Sequence, residues 1–363
     1  MRSMPNRLPS YYLQFTDENL TELQSDIWNN DPVPADLVCN NHIYDLDIAY
    51  RGSYTRKLPK RSYHIVFINP SSFHGAREIH MNAEYNDPSL VRNKLSLDFF
   101  QELGVLAPES KHVNLFRNGA RNGVYLQLEA VDSKFLQNRG LPKGSIYYAV
   151  NSQANFSLLH ERRPKKNLLS GYHRVVGDAN SDQELVKLIQ LINTTPFPEF
   201  PEALEQHLNI ESYLRWLVGV VCTMNNDGFT HNYALYRNNE TDLFEIIPWD
   251  YDATWGRKVS GGIMHHQYVP PEGKISNHLC YLMMRIPAFR NQYRLLLEET
   301  LDTLFTVQHI EEKVNAIVEK IRPSVLLDPY INNKVHQFDQ EPELIFQFIQ
   351  DRSEYLKKYL LAP

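Results

Sequence analysis

The chain contains 363 residues, of which 42% are hydrophobic and 12% aromatic, enough to bury a large core or two packed lobes. Its formal net charge is -6, with acidic and basic residues mixed, which excludes a general nucleic-acid-binding protein. The three cysteines, Cys39, Cys222 and Cys280, are too far apart for a common zinc motif or a disulfide framework, so we expect free, buried thiols.

The sequence does not predict export or membrane insertion. The N-terminal segment MRSMPNRLPSYYLQF lacks the apolar run of a signal peptide. No segment reaches the roughly 18 consecutive apolar residues that a membrane-spanning helix needs. We therefore expect a protein that is made and retained in the cytosol and has no membrane partner.

The beginning of the chain is predicted to be rich in β-strands. A strand-like start is followed by a helical pattern that begins at Thr16. Apolar and polar residues then alternate near 42–50 and 61–68. This alternation predicts an antiparallel strand pair, joined by the polar, basic loop from Arg51 to Arg61.

A helix and a hairpin are predicted next. The stretch DPSLVRNKLSLDFFQELG predicts a helix with Asp87 as its cap, Pro88 at its first position and Gly104 at its end. The stretch HVNLFRNGARNGVYLQLEAVD predicts two strands joined by an Asn-Gly turn. Short strands are also predicted in REIHMNAEY and SIYYAVN.

The second half of the chain is predicted to be helical. From about residue 183, several segments space their apolar residues at three and four, and one hairpin at 233–249 interrupts them. The sequence therefore predicts an α+β fold with a β-rich lobe at 1–160 and a helical lobe at 183–363. Residues 161–182 are predicted to form a basic, solvated and mobile connection, and we expect a cleft between the lobes.

Acidic and amide residues surround the predicted hairpin. Asp227 follows an apolar helix, Asn232 follows five residues later, and Asp250 and Asp252 follow the second strand. Phosphoryl transfer needs a carboxylate beside the attacking hydroxyl, and an amide oxygen and a carboxylate to hold magnesium. Asp227 is therefore the candidate base, and Asn232 and Asp250 are the candidate metal ligands. Asp252 is a further candidate at the metal.

A structural interpretation is also open. The spacing of Asp227 and Asn232 occurs by chance in many chains. Asp250 and Asp252 can simply end a strand and cap a turn, and Trp249 can be part of the core. The occurrence of all these acidic and amide residues together in a helix, loop and hairpin favours a catalytic role over the structural interpretation.

The sequence resembles the spore coat protein H (CotH) family of atypical protein kinases. The resemblance lies in DGFTHNYALYR, LFEIIPWDYDATWG, DIAYRGSYTRKLPKRSYHIVF, AEYNDPSLVRNKLSLDFFQELG, NGVYLQLEAVD and IRPSVLLDPY. It implies a divergent, two-lobed protein-kinase-like fold that uses ATP and Mg²⁺, with Mn²⁺ as a possible substitute. It also implies phosphorylation of Ser or Thr in spore coat proteins and a role in outer coat assembly.

The same resemblance implies roles, a location and partners. Asp227 takes the catalytic position and Asp250 the metal position, with Asn232 beside them. The protein would be synthesised in the mother-cell cytoplasm and then join the spore coat. Its expected substrates are Ser-rich, basic coat proteins, and the loop GGIMHHQYVPPEGK is a candidate contact for them.

Several motifs of ordinary kinases are missing from the sequence. No His-Arg pair precedes Asp227, no Phe-Gly follows Asp250, and no G-x-G-x-x-G loop occurs. Lys60 and Arg51, in or beside the basic loop, are the candidate phosphate contacts, although a solvated loop is an equally good interpretation. Glu84 and Glu102 are possible acidic partners for a phosphate-binding lysine.

An adenine site requires a flat apolar slot and a backbone edge. The strand YLQLEAVD, which contains Glu129, resembles the segment that connects the lobes of a kinase. Tyr148 and Trp249 are candidate stacking partners, as is Tyr147, although aromatic residues in such positions are more often part of the core. Two rival functions stay open: a non-catalytic coat or adhesion protein on the same fold, and a small-molecule phosphotransferase.

Overall fold

The computed structural model describes residues 8–362. Residues 1–7 and residue 363 lie outside the described residues. The prediction that the N-terminal segment is not a signal peptide falls partly on these residues. The chain divides into two compact units. Unit one contains the described residues up to Lys94, together with Glu109–Ala130 and Glu312–Glu343. Unit two contains Leu95–Pro108, Val131–Glu311 and the described residues from Leu344 onward.

Unit one is built around a closed barrel. Its strands are β1 (Ser10–Gln14), β2 (Val33–Cys39), β3 (His42–Arg51), β4 (Ser62–Asn69), β5 (Glu78–Asn82), β6 (Ser110–Arg117) and β7 (Ala120–Glu129). They follow one another around the barrel in the order β1-β2-β3-β4-β5-β7-β6, and a parallel β1–β6 pair closes it. Alternation puts Ile48, Ile65 and Ile79 in the core, while intervening residues such as His64 and His80 lie on the outer face.

Unit two contains a second sheet. Its strands are β8 (Gly144–Ala149), β11 (Tyr172–Val176), β12 (Tyr233–Asn238) and β13 (Phe244–Pro248), paired antiparallel in the order β11-β8-β12-β13. The two-residue strands β9 (Leu159–His160) and β10 (Arg163–Pro164) pair with each other. The segment at 161–182, predicted to be a mobile connection, therefore contributes a strand to this sheet.

The helices complete the architecture, and none of those described in residues 8–362 is long and apolar enough to span a membrane. Their bounds are α1 (Asp17–Ser25), α2 (Arg92–Glu102), α3 (Ser133–Asn138), α4 (Ala179–Thr194), α5 (Phe200–Glu205), α6 (Ile210–Thr223), α7 (His278–Met283), α8 (Pro287–Asp302), α9 (Val307–Val325) and α10 (Val335–Leu361). The α+β class is therefore confirmed. Thr16 caps α1 as expected, since its side chain accepts a hydrogen bond from the backbone of Asn19.

The structure corrects the predicted start of α2. The helix begins at Arg92, four residues later than Pro88. Leu90 has a φ of 57°, which breaks the helical path. Asp87 still serves as a cap, because its Oδ2 accepts hydrogen bonds from the backbone N–H groups of Val91 and Arg92. Gly104, with a φ of 77°, follows the helix end as predicted.

The structure also locates the predicted Asn-Gly turn. Asn118 and Gly119 join β6 to β7 and have φ values of 46° and 80°, the left-handed pair that a two-residue hairpin requires. The division into compact units differs from the predicted lobes, because residues 131–160 belong to unit two and residues 312–343 to unit one.

Candidate active site

The loop that carries Asp227 is positioned by the end of α6. Nearly the whole of this helix is buried, and it ends at Met224, which has a φ of 63° and donates a backbone hydrogen bond to Val220. The side chain of Asn225 then accepts hydrogen bonds from the backbone N–H groups of Asp227 and Gly228, at 3.1 and 2.9 Å. These contacts fix the backbone of the short 3-10 turn that begins at Asp227.

Asp227 lies at the surface of unit two within a chain of polar contacts. Its side chain is 39% exposed, so the carboxylate is accessible to a reacting hydroxyl. Asn226 Nδ2 donates to Asp227 Oδ1 at 2.9 Å, and His231 Nε2 lies 3.8 Å from Oδ2. Lys274 Nζ donates to Asn226 Oδ1. The side-chain amide of Asn226 therefore orients the Asp227 carboxylate, and Lys274 holds that amide in place.

Sequence analysis does not single out Lys274 as a site residue. Burial lowers the pKa of its ammonium group, and the nearby Asp227 carboxylate acts in the opposite direction. The only sequence signal is its position in the loop GGIMHHQYVPPEGK, the candidate contact for substrate proteins. Its closeness to Asp227 depends on how residues 226 and 274 fold together.

Asn232 and the Asp250 backbone are joined at the base of the hairpin. Asn232 Nδ2 donates to the carbonyl oxygen of Asp250 at 3.1 Å, and the N–H of Trp249 donates to the carbonyl of Asn232 at 3.0 Å. Asn225 Nδ2 also approaches the Asp250 carbonyl, at 3.5 Å. The two ends of the β12–β13 hairpin are thereby held beside the Asp227 loop.

Two of these residues have unusual backbone conformations. Asn232 and Asp250 have φ values of 60° and 61°, in the left-handed region that Asn and Asp tolerate better than most residues. Strained positions of this kind are concentrated at functional sites. The amide oxygen of Asn232 and the carboxylate of Asp250 are hard oxygen donors, which suits Mg²⁺. Asp252 is half-buried two residues further on, and its place at the metal stays a prediction.

The two predicted stacking residues are in contact. The ring centroids of Tyr148 and Trp249 lie 4.9 Å apart with an interplanar angle of 68°. The hydroxyl of Tyr148 accepts a hydrogen bond from the backbone of Val131 at 2.7 Å, which holds the ring in place. Tyr147 is buried, with an exposure of 1%. The Tyr148 and Trp249 rings therefore meet edge to face, and Trp249 is 8% exposed, so a contact of either ring with adenine stays a prediction.

The candidate residues of unit one have other partners. Lys60 is fully buried: its Nζ donates to Asp328 Oδ2 at 3.1 Å and to the carbonyl of Val124 at 2.5 Å. This pairing favours a structural role for Lys60 over the predicted contact with phosphates. Arg51 donates to the side chain of Asn82, and Glu129 Oε2 accepts from the backbone of Glu109 at 3.0 Å.

Of the two possible acidic partners, Glu84 is near enough to Lys60 to affect its pKa, whereas Glu102 has a different partner. Glu84 accepts a hydrogen bond from Asn93 at 3.0 Å, and Glu102 lies 2.7 Å from His309. Burial lowers the pKa of Lys60, while Asp328 and Glu84 act in the opposite direction. The acid that pairs with Lys60 is Asp328, which sequence reasoning missed because it lies 268 residues away.

Comparison with known proteins assigns the family. The profile described as "CotH kinase protein" matches residues 48–356. The chain is 50% identical to "Inner spore coat protein H" of Bacillus subtilis (strain 168), over 99% of both chains. It is 27% identical to "Inner spore coat protein H-like protein" of the same strain, over 83% of this chain and 86% of the relative.

A solved structure of the Shewanella oneidensis MR-1 toxin–antitoxin system HipA, HipB and its operator DNA is also similar to the chain. Its identity is 14% and its TM-score 0.42, covering 100% of this chain and 75% of that one. These values are too low to carry an inference about activity. The profile match over most of the sequence and the 50% identity are decisive: the chain belongs to the CotH kinase protein family.

Proposed function

We propose that this protein is an ATP- and magnesium-dependent protein kinase that phosphorylates Ser or Thr residues of spore coat proteins. The observation that supports this most is the hydrogen-bonded assembly of Asn225, Asn232 and the Asp250 backbone beside the Asp227 loop. Phosphoryl transfer depends on positioning and charge neutralisation more than on covalent chemistry by the protein. A preorganised set of oxygen donors is what this reaction requires.

Asp227 is the proposed proton acceptor. As the acceptor hydroxyl attacks, its oxygen forms a bond to the γ-phosphorus, the bond to the bridging oxygen of the leaving ADP breaks, and the proton moves to the Asp227 carboxylate. The hydrogen bond from Asn226 occupies Oδ1 and favours the approach of the hydroxyl to Oδ2. Lys274 positions Asn226 and adds positive charge close to the reacting group.

Asn232 and Asp250 are the proposed metal ligands, with Asp252 as a further candidate. Mg²⁺, or Mn²⁺ in its place, would neutralise phosphate charge when bound. Tyr148 and Trp249 are the proposed contacts of the adenine ring, and Glu129 the proposed hinge contact. Arg51 is the preferred candidate for the phosphates, since Lys60 is occupied by its buried ion pair.

The proposed substrates are Ser-rich, basic spore coat proteins. The support is the name of the 50% identical relative, an inner spore coat protein, and the net charge of -6, which favours a basic partner. We further propose synthesis in the mother-cell cytoplasm, deposition in the spore coat and a contribution to outer coat assembly.

The substitution Asp227→Asn tests the proposed activity. It keeps the shape of the side chain and an oxygen that can accept the hydrogen bond from Asn226 but removes the base, so transfer should fall at least about 100-fold. The assay uses purified protein, labelled ATP, Mg²⁺ or Mn²⁺, and a Ser-rich basic coat protein. The matched control is Asp242→Asn, the same chemical change in the exposed turn of the same hairpin, which should act like wild type.

The same assay separates the rival functions. Transfer to coat proteins at the normal rate by Asp227→Asn would refute the role of Asp227. Absence of label from wild-type protein with either metal would instead support a non-catalytic coat scaffold. Label on a small hydroxyl compound, but not on protein, would identify a small-molecule phosphotransferase.

A further inference from the structure

The outer face of the barrel carries a group of three potential metal ligands. His64 on β4 and His80 on β5 are directly opposite one another in the strand register. Glu78 precedes His80 by two residues on the same strand and therefore projects from the same face. All three belong to unit one and to a single antiparallel strand pair, which keeps their spacing fixed.

The donor atoms of these residues converge on one point. His64 Nε2 lies 2.6 Å and His80 Nε2 3.5 Å from the same oxygen, Glu78 Oε1. The two imidazole rings stack, with centroids 5.2 Å apart. The three donor atoms lie within 4.8 Å of one another. In a tetrahedral zinc site with bonds of about 2.0–2.2 Å, ligand atoms are roughly 3.4 Å apart, so small side-chain adjustments suffice.

The chemistry of the group selects among metals. Two imidazole nitrogens and one carboxylate oxygen suit zinc and related transition metals, whereas magnesium and calcium prefer oxygen ligands alone. The side chains of His64 and Glu78 are 36% and 29% exposed, which allows an ion and water to enter.

We propose that His64, Glu78 and His80 bind one divalent transition-metal ion, best matched by Zn²⁺, with water completing the coordination. None of the three residues takes part in the proposed phosphoryl transfer. A bound ion would link β4 to β5 and stabilise the barrel, because it binds the folded chain and not the unfolded one. The site would therefore serve stability or regulation, separately from the magnesium that accompanies ATP.

Direct metal binding tests this proposal without nucleotide. The full-length protein is freed of metal with a chelator and titrated with Zn²⁺ by calorimetry, and with Co²⁺ by visible absorption, which reports tetrahedral coordination. We expect one Zn²⁺ per chain and a higher Tm when it is bound. Glu78→Gln, and His64→Gln at a half-exposed position, should each weaken zinc binding at least about 10-fold. Loss of a residue that only hydrogen-bonds to a metal ligand already weakens binding by that factor.

A second histidine pair provides the matched control. His265 and His266 are adjacent, with stacked rings 4.3 Å apart, and Asp351 Oδ2 lies 3.9 Å from His266 Nδ1. Among the described residues, however, this pair does not belong to a group of three donor atoms within 4.8 Å of one another, as the barrel group does. The double variant His265→Gln/His266→Gln should bind zinc like wild type. Binding lost in this double variant and retained in Glu78→Gln would overturn the proposal, as would wild-type protein that binds no stoichiometric zinc.

Two further measurements keep the outcome clear. The Tm of each metal-free variant is compared with that of the wild type, which reveals any folding defect. Zinc binding is then judged from whichever of Glu78→Gln and His64→Gln is folded. Asp227→Asn should retain full zinc binding. Failure of the kinase proposal would therefore leave the zinc result intact, and the reverse also holds.

Discussion

At the scale of single residues, burial decides what Lys60 can do. A lysine in a basic loop between two strands is a reasonable phosphate contact in the sequence. In the structure its ammonium is enclosed by Asp328 and the Val124 carbonyl. Asp328 also accepts hydrogen bonds from the backbone N–H groups of Val124 and Tyr330. This network joins the loop to a segment from the far end of the chain.

We predict that Asp328→Ala lowers the free energy of unfolding by about 3–5 kcal/mol, because it leaves a buried, unpaired ammonium. Lys60→Met should destabilise as well, and the double variant Lys60→Met/Asp328→Leu should lose less than the sum of the two changes. Urea unfolding measures all three. Lys57→Met, a change to an exposed lysine of the same loop, is the control and should be neutral.

The same variants test the predicted phosphate contact. A Lys60→Met protein with normal stability but much weaker ATP binding would contradict the structural role and restore the original prediction.

Lys274 shows the opposite change, because the structure places this unremarked loop residue near Asp227, the proposed base. We predict that Lys274→Met lowers kcat by up to about 100-fold, because Asn226 loses its partner and Asp227 is no longer held in position. The KM for ATP should change little. Lys274→Arg should restore part of the rate, since it keeps the charge.

The control for this prediction is Lys258→Met, which removes an exposed lysine shortly before the same loop. If Lys274 only stabilised the fold, Lys274→Met would lower the free energy of unfolding. It would then not lower kcat while leaving the KM for ATP unchanged. Equal loss of activity in Lys274→Arg and Lys274→Met would also contradict the prediction that the positive charge at this position holds Asn226 in place.

At the scale of elements, short polar side chains connect the helices to the Asp227 loop. Asn277, which is fully buried, caps α7 by accepting a hydrogen bond from the backbone of Cys280 at 2.9 Å. Its Nδ2 donates to the carbonyl of Phe229 at 2.8 Å, inside the 3-10 turn that begins at Asp227. One side chain therefore stabilises the start of α7 and the Asp227 loop together.

We predict that Asn277→Ala lowers the free energy of unfolding by about 2 kcal/mol and slows phosphoryl transfer, because a cap and a buried hydrogen bond are lost. Asn277→Ser retains an oxygen for the cap but is too short to reach Phe229. It should therefore recover stability more than activity. Denaturant unfolding and the transfer assay, both at a temperature where the variants are folded, check this; equal recovery of the two would contradict it.

At the scale of the whole molecule, buried neutral histidines make the fold sensitive to acid. His112 is buried and donates a hydrogen bond to the carbonyl of Leu90 at 2.6 Å. Burial lowers its pKa from the ordinary 6.5 to about 4, with Lys94 and Lys320 acting in the same direction and the hydrogen bond to Leu90 against it. The unfolded chain therefore binds the proton more readily than the folded one.

We predict that stability falls as the pH decreases from about 6.5 towards 4, because the folded pKa lies below the unfolded value. Above 6.5 the contribution of His112 is fully present. Urea unfolding at several pH values should show that the free energy of unfolding depends less on pH in His112→Gln than in wild type. The control, His173→Gln at an exposed position, should keep the wild-type slope; equal slopes in all three proteins would contradict the prediction.

Local patterns of the sequence determined much of this protein. The alternation near 42–50 and 61–68, the Asn-Gly turn and the spacing of apolar residues predicted strands, hairpin and helices, since these depend on neighbours within one or two turns of the chain. The order of Asp227, Asn232 and Asp250 around a hairpin indicated a site, because a two-stranded ribbon must bring its ends together.

Tertiary structure decided the features that depend on distant residues. Closure of the barrel rests on a parallel β1–β6 pair, and the Lys60–Asp328 ion pair spans 268 positions. The contact of Lys274 with Asn226 and the meeting of His64, Glu78 and His80 likewise follow from how strands and loops pack. Local periodicity carries no information about such partners, because side-chain contacts between distant segments are set by which faces of the folded chain meet.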